Sequence, residues 1–201
     1  MENVIGNINS VTNNSGNTYL KSTNSIFSSS FYFQDFYDDK LVKKFIRSTE
    51  AIIRQSKEYN DYLALIKTNY NILNFDNVLS HISDTDACIE IHHYPFTLYD
   101  LVDTVMTYHL ANKENFTSFS IAKEIMEEHF SHHIGFVPLT KTNHELAHNG
   151  GLFISTNQVF GDWKAFYNKY KAGVSADLST KIQNIEDLSA NGAASDYRGL
   201  Y

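Results

Sequence analysis

The chain has 201 residues, 42% apolar and 19% charged, with a net charge of −7. That suits a soluble globular protein with one domain-sized core. It contains no run of eighteen apolar residues, so no transmembrane helix is expected. The opening MENVIGNINSVTNNSG lacks a basic stretch followed by an apolar one, which argues against a secretory signal. The single cysteine, Cys88, excludes an internal disulfide framework and a cysteine-built zinc site, and it points to a reducing cytosol.

Residues 1–30, rich in Asn, Ser and Thr, read as a flexible arm. The aromatic stretch Phe31-Tyr32-Phe33 with Phe36-Tyr37 is expected to anchor it. From Asp38 the spacing turns helical: Leu41, Phe45, Ile52 and Ile53 predict an amphipathic helix to about Ser56, extended by Tyr59, Tyr62, Leu63 and Ile66. Residues 87–93 alternate like a strand that stops before Pro95, with Cys88 inside it. Thr97 opens a helix whose Leu98, Leu101, Val102, Val105 and His109 share a face. A second helix over about 119–131 would bury Ile121, Ile125 and Phe130. Residues 135–139 read as extended. A short helix from Asn143 to His148 ends at Asn149-Gly150-Gly151. Leu152-Phe153-Ile154 is extended again. Residues 157–171 predict a helix with Trp163, Phe166 and Tyr170 in the core, and residues 174–201 a weakly ordered tail.

Charge is uneven along the chain. Residues 83–130 carry Asp84, Asp86, Glu90, Asp100, Asp103, Glu114, Glu124, Glu127 and Glu128 against Lys113 and Lys123 alone. Residues 37–60 and 141–171 hold an excess of bases. A nucleic-acid-facing surface is therefore expected on the later helix, with the early helix as second candidate, and not on the middle segment. Glu127-Glu128 reads as solvated helix surface.

All nine histidines lie between positions 81 and 148. Two groups stand out. His92-His93 ends the predicted strand, and His144 with His148 sits at i and i+4, one helical face, where both rings reach one metal ion. His144-Glu145-Leu146-Ala147-His148 matches HExxH, the zinc-hydrolase string with glutamate as general base. Its usual third ligand is missing, because Ile154 stands at the expected place and the first acid downstream is Asp162. His81, His109, His129 and His132 are assigned structural or surface roles.

Taken together, Glu90-Ile91-His92-His93-Tyr94-Pro95-Phe96 and the segment from Gly135 through Val137-Pro138-Leu139 to His144 and His148 resemble the two halves of the ββα-metal (HNH) nuclease motif, and are similar to HNH proteins encoded by phages. The resemblance covers about 60 residues. It implies an α+β fold, mainly helical, built around a ββα-metal motif, with a helical insertion at about 97–133 inside a single domain over 31–173. It also implies metal-dependent hydrolysis of DNA phosphodiesters, with His93 as general base and His92, His144 and His148 as ligands of one divalent ion. Three imidazoles favour zinc or another transition metal, with magnesium and manganese admissible. Lys141 and Lys164 flank the helix as candidate phosphate contacts.

Three departures are visible, one being that about 38 residues separate Thr97 from Gly135, far more than a tight loop needs. Gly135 stands where the family carries an asparagine that fixes the base-holding loop, for which Asn143 or His133 could substitute. The family's paired cysteines are also absent. The implied partners are DNA and, through the acidic insertion, a protein, with no membrane; the implied location is the cytoplasm of a bacterial host. The alternatives are a catalytically degenerate HNH-like binding protein and a zinc hydrolase using His144, Glu145 and His148.

Overall fold

The computed structural model describes residues 38–197. The expected arm over 1–30 and the aromatic stretch from Phe31 to Tyr37 lie outside them. The described chain is α+β and mainly helical, with seven α-helices and two small antiparallel sheets. It divides into two compact units. The first holds the described residues up to Tyr59, then 98–128 and 169–174; the second holds 60–97, 129–168 and the described residues from Ser175 on.

In the first unit, α1 (Asp39–Gln55) begins at Asp38, whose carboxylate accepts from the backbone N–H of Lys40 at 2.8 Å. This satisfies an N-terminal donor that the helix leaves unpaired. Phe45, Ile46, Thr49 and Ile53 are buried along one face, and the Thr49 hydroxyl donates to the Phe45 carbonyl at 3.0 Å. α1 packs against α3 (Leu98–Ala111), which buries Leu98, Leu101, Val102 and Val105. α4 (Ser118–Phe130) adds Ile121 and Ile125, and Phe116 stands edge-on to Phe45 at 5.9 Å. Each fully buried side chain of this size stabilises by about 1.5–3 kcal/mol. The acidic segment does form two helices, and their apolar faces belong to the core of this unit.

Two sequence expectations fail at α4. Phe130 is 53% exposed, and Glu128, expected in solvent, is 4% exposed. Burial of Glu128 is compensated by Lys169 Nζ at 2.5 Å and by the Tyr170 hydroxyl, which donates to Glu128 at 3.2 Å and to Glu124 at 2.8 Å. Burial, then the two carboxylates, push the Tyr170 hydroxyl far above the usual tyrosine range. Glu127 does face solvent, paired with Lys123 at 3.1 Å.

In the second unit, α2 (Lys57–Asn69) precedes β1 (Ile89–His93). β1 pairs antiparallel with β2 (Phe136–Thr140), Ile89 opposite Thr140 and His93 opposite Phe136. Cys88 is exposed and lies just before the strand rather than buried within it. α5 (Lys141–His148) follows β2 directly and packs on β1, β2 and β3 (Leu152–Phe153). Val137, Leu139, Leu152 and Ile154 form a buried cluster onto which Leu146 and Ala147 of α5 pack. β3 pairs with β4 (Asp196–Tyr197).

The predicted helix over 157–171 shortens to α6 (Trp163–Lys169). Gly161 has φ +98°, and a Cβ there would lie 2.2 Å from the Ile134 carbonyl oxygen, so the chain turns before the helix can start. Trp163, Phe166 and Tyr170 are buried as expected. The expected tail is instead α7 (Ala176–Ala190) followed by β4. Ser175 caps α7 by accepting from Leu178 N–H at 3.2 Å, and Ile182 is 2% exposed. The Ser189 hydroxyl accepts from Thr156 N–H at 2.9 Å. Only a few apolar residues mark this helix in the sequence. No helix among the described residues is long and apolar enough to cross a membrane.

Candidate metal centre

β1 alternates, so Glu90 and His92 point to one face of the strand and Ile89, Ile91 and His93 to the other. α5 lies on the Glu90/His92 side. Its start is held by Asp76, a buried carboxylate that accepts from Thr140 N–H at 2.5 Å and from the Asn143 side chain at 2.9 Å. Asp76 also accepts from the N–H groups of Val78 and Leu79 at 2.8 and 2.7 Å. Burial alone would raise its pKa. The hydrogen bonds from Leu79, Thr140, Asn143 and Val78 outweigh that and hold it below the usual carboxylate range.

This clamp sets α5 so that His144 and His148, one turn apart, meet His92. The ring centroids of His144 and His148 each lie 4.8 Å from that of His92 and 4.7 Å from one another. One nitrogen from each imidazole falls within 4.8 Å of the others, and the Nε2 atoms of His144 and His148 are 3.0 Å apart. Two imidazole nitrogens on one tetrahedral zinc lie about 3.3 Å apart, from Zn–N bonds of about 2.0–2.1 Å. His92 is buried, His144 half-buried and His148 exposed, so the group opens to solvent at one side. His144 Nδ1 donates to the Glu90 carboxylate. That bond fixes the tautomer and leaves the His144 Nε2 lone pair facing the other two rings, the arrangement in which a carboxylate orients a metal-binding histidine. The donor set fits a divalent transition ion.

His93 lies on the opposite face of β1. It is 5% exposed, and its Nε2 is 3.1 Å from Nε2 of His129, in the last turn of α4. The Phe136 ring lies tilted beside it at 4.9 Å, and Tyr62 stands edge-on to His129 at 5.5 Å. His129, read as structural from sequence, is therefore the group that orients His93. Asn143, a suggested substitute for the family's asparagine, is committed to Asp76 and accepts from Tyr197 OH at 3.0 Å. The place of that asparagine admits no side chain: a Cβ on Gly135 would lie 2.0 Å from the Tyr94 carbonyl oxygen and 2.8 Å from Val159.

A cavity of about 570 Å³ opens beside the histidines and is lined by His92, His93 and His148 on one side and by Asp177, Thr180, Lys181 and Asn184 of α7 on the other. Its size is that of ordinary ligand sites. Neither suggested phosphate contact lines it. Lys141 is exposed at the start of α5, and Lys164 is paired with Glu186 at 2.6 Å. Lys181 is the base that lines it, and sequence reasoning missed it because α7 read as tail. Glu145 is exposed, one residue and so about 100° round the helix from His144. The third histidine beside the HExxH pair comes from upstream, on β1. Glu90 was legible in principle, since it stands two residues before His92 on an alternating strand.

Comparison with curated proteins and with solved structures gave no match. The family model of bacteriophage G278-like virion proteins matches residues 1–199, nearly the whole chain, and the chain belongs to that family.

Proposed function

We propose that this phage protein is a metal-dependent endonuclease of the HNH type, hydrolysing phosphodiester bonds in DNA. The observation that carries the reading is the meeting of His92, His144 and His148 across β1 and α5, with Glu90 orienting His144. A divalent transition ion bound there supplies Lewis acidity toward a phosphoryl oxygen. The chain's own residues supply the rest. His93 is the general base. His129 lies 3.1 Å from its Nε2 and orients the ring that takes the proton from the attacking water. His129 acts through His93 as a positioning residue, in the way a third group orients the base in other hydrolases. Lys181 lines the cavity shared by His92 and His93 and is assigned the contact to a phosphate.

Plasmid cleavage with added zinc or manganese tests this. His93→Ala lowers the rate by about 10²–10⁴-fold while metal still binds, and His129→Ala lowers kcat by part of that factor with KM little changed. Glu145→Gln leaves cleavage near wild type. Full activity in His93→Ala, or its loss in Glu145→Gln, contradicts the assignment, the latter in favour of the HExxH hydrolase. A second reading, a degenerate HNH-like binding protein, draws on Gly135, whose surroundings exclude the family's asparagine. It predicts metal binding without cleavage by the wild-type chain.

A further inference from the structure

We propose that the solvent face of α1 is a sequence-independent docking surface for the phosphate backbone of duplex DNA, separate from the histidine site and independent of metal. Lys40, Lys43, Lys44 and Arg47 stand at i, i+3, i+4 and i+7, which places all four on one stripe of the helix. All four are exposed. Among the described residues, no carboxylate lies within ion-pair distance of any of them; Glu50 pairs with Arg54 at 3.8 Å and also feels the charge of Arg47. Arg54 continues the same face two turns on. Four of the chain's 16 lysines and arginines thus fall within eight residues of a protein whose net charge is −7.

The stripe borders a shallow hollow of about 460 Å³ floored by Ser48 and Ala51, small side chains that let a backbone approach closely. From Lys40 to Arg47 the helix advances about 10 Å, a length over which one DNA strand presents about three phosphates. A membrane surface fits less well. A helix that lies in a lipid interface must insert its apolar face, and here Phe45 and Ile46 are fully buried in the protein's own core.

The test uses the full chain in excess EDTA, with fluorescence anisotropy on a labelled 20-base-pair duplex of arbitrary sequence. Wild type is expected to bind, with log K falling against log salt at a slope of about −3 for three phosphate contacts. The variant Lys40→Gln/Lys43→Gln/Lys44→Gln/Arg47→Gln is expected to bind at least tenfold more weakly and to lose most of that slope, with an unchanged circular dichroism spectrum. Should it fail to fold, the pairs Lys40→Gln/Lys43→Gln and Lys44→Gln/Arg47→Gln are each expected to halve the slope. With metal chelated the readout is binding alone, which separates this surface from the nuclease reading, since binding can persist where cleavage is absent; the control Glu145→Gln, at an exposed residue outside the histidine group, is expected to bind like wild type. Unchanged affinity in the charge variants, no binding by wild type at low salt, or tighter binding of polyglutamate than of the duplex would each overturn the proposal.

Discussion

At the scale of single residues, the central object is the donor geometry of His144. Its Nδ1 faces Glu90, and its Nε2 faces His148 at 3.0 Å with the His92 ring beside them. A carboxylate behind a ligating imidazole raises its basicity and fixes its ring, and losing such a partner commonly costs about 10–100-fold in metal affinity. Glu90→Gln keeps the shape but removes the negative charge. Its zinc affinity, measured by competition with a chromophoric chelator, is expected to fall by about that factor, while unfolding by denaturant changes little. Equal affinity in the two proteins would remove Glu90 from the site. The same scale shows what spacing can reveal. His144 and His148 are legible because a helix repeats every 3.6 residues, and Glu90 with His92 because a strand repeats every two. The contact of His93 with His129 joins residues 36 positions apart, and no local period announces it.

At the scale of elements, the junction of β2 and α5 decides whether the histidines meet. Thr140 ends the strand and caps the helix, and Asp76 ties both to the 76–79 turn. Asp76→Ala strands several buried donors at once. A stability loss of about 3 kcal/mol in equilibrium denaturation is expected. The pH dependence follows from the sign of the shift. The folded pKa of Asp76 is lowered, so its contribution is present above the unfolded value of about 3.9 and fades as pH falls through the folded value. The gap between wild type and Asp76→Ala is therefore expected to narrow as pH falls below about 4. A gap constant from pH 7 to pH 2 would contradict this account. The helices and strands around the site follow the hydrophobic periods of their segments. α7 and the break before α6 do not, because a helix held by Ile182, Ser189 and a serine cap carries little apolar pattern, and because Gly161 acts through close backbone approach rather than composition.

At the scale of the whole molecule, the chain divides into two units that interleave in sequence, and this was the least legible feature. The acidic segment around 97–133 reads as an insertion because its helices separate the two halves of the histidine pattern. In the structure those helices belong mainly to the first unit and contribute its core residues Leu101, Val102, Val105, Ile121 and Ile125. Composition cannot distinguish an added helix pair from half of another core, since both need the same apolar stripe. Membership of a virion-protein family agrees with a phage origin. The chemistry proposed for the protein stands on the second unit, where β1, α5 and α7 surround one cavity.

The most direct measurement is the metal content of the purified full-length protein, wild type and His92→Ala, by elemental mass spectrometry after exposure to zinc. About one ion per wild-type chain is expected, and its loss in His92→Ala, with both proteins folded. Metal retained in His92→Ala would detach β1 from the site, and no metal in either protein would contradict the metal centre altogether.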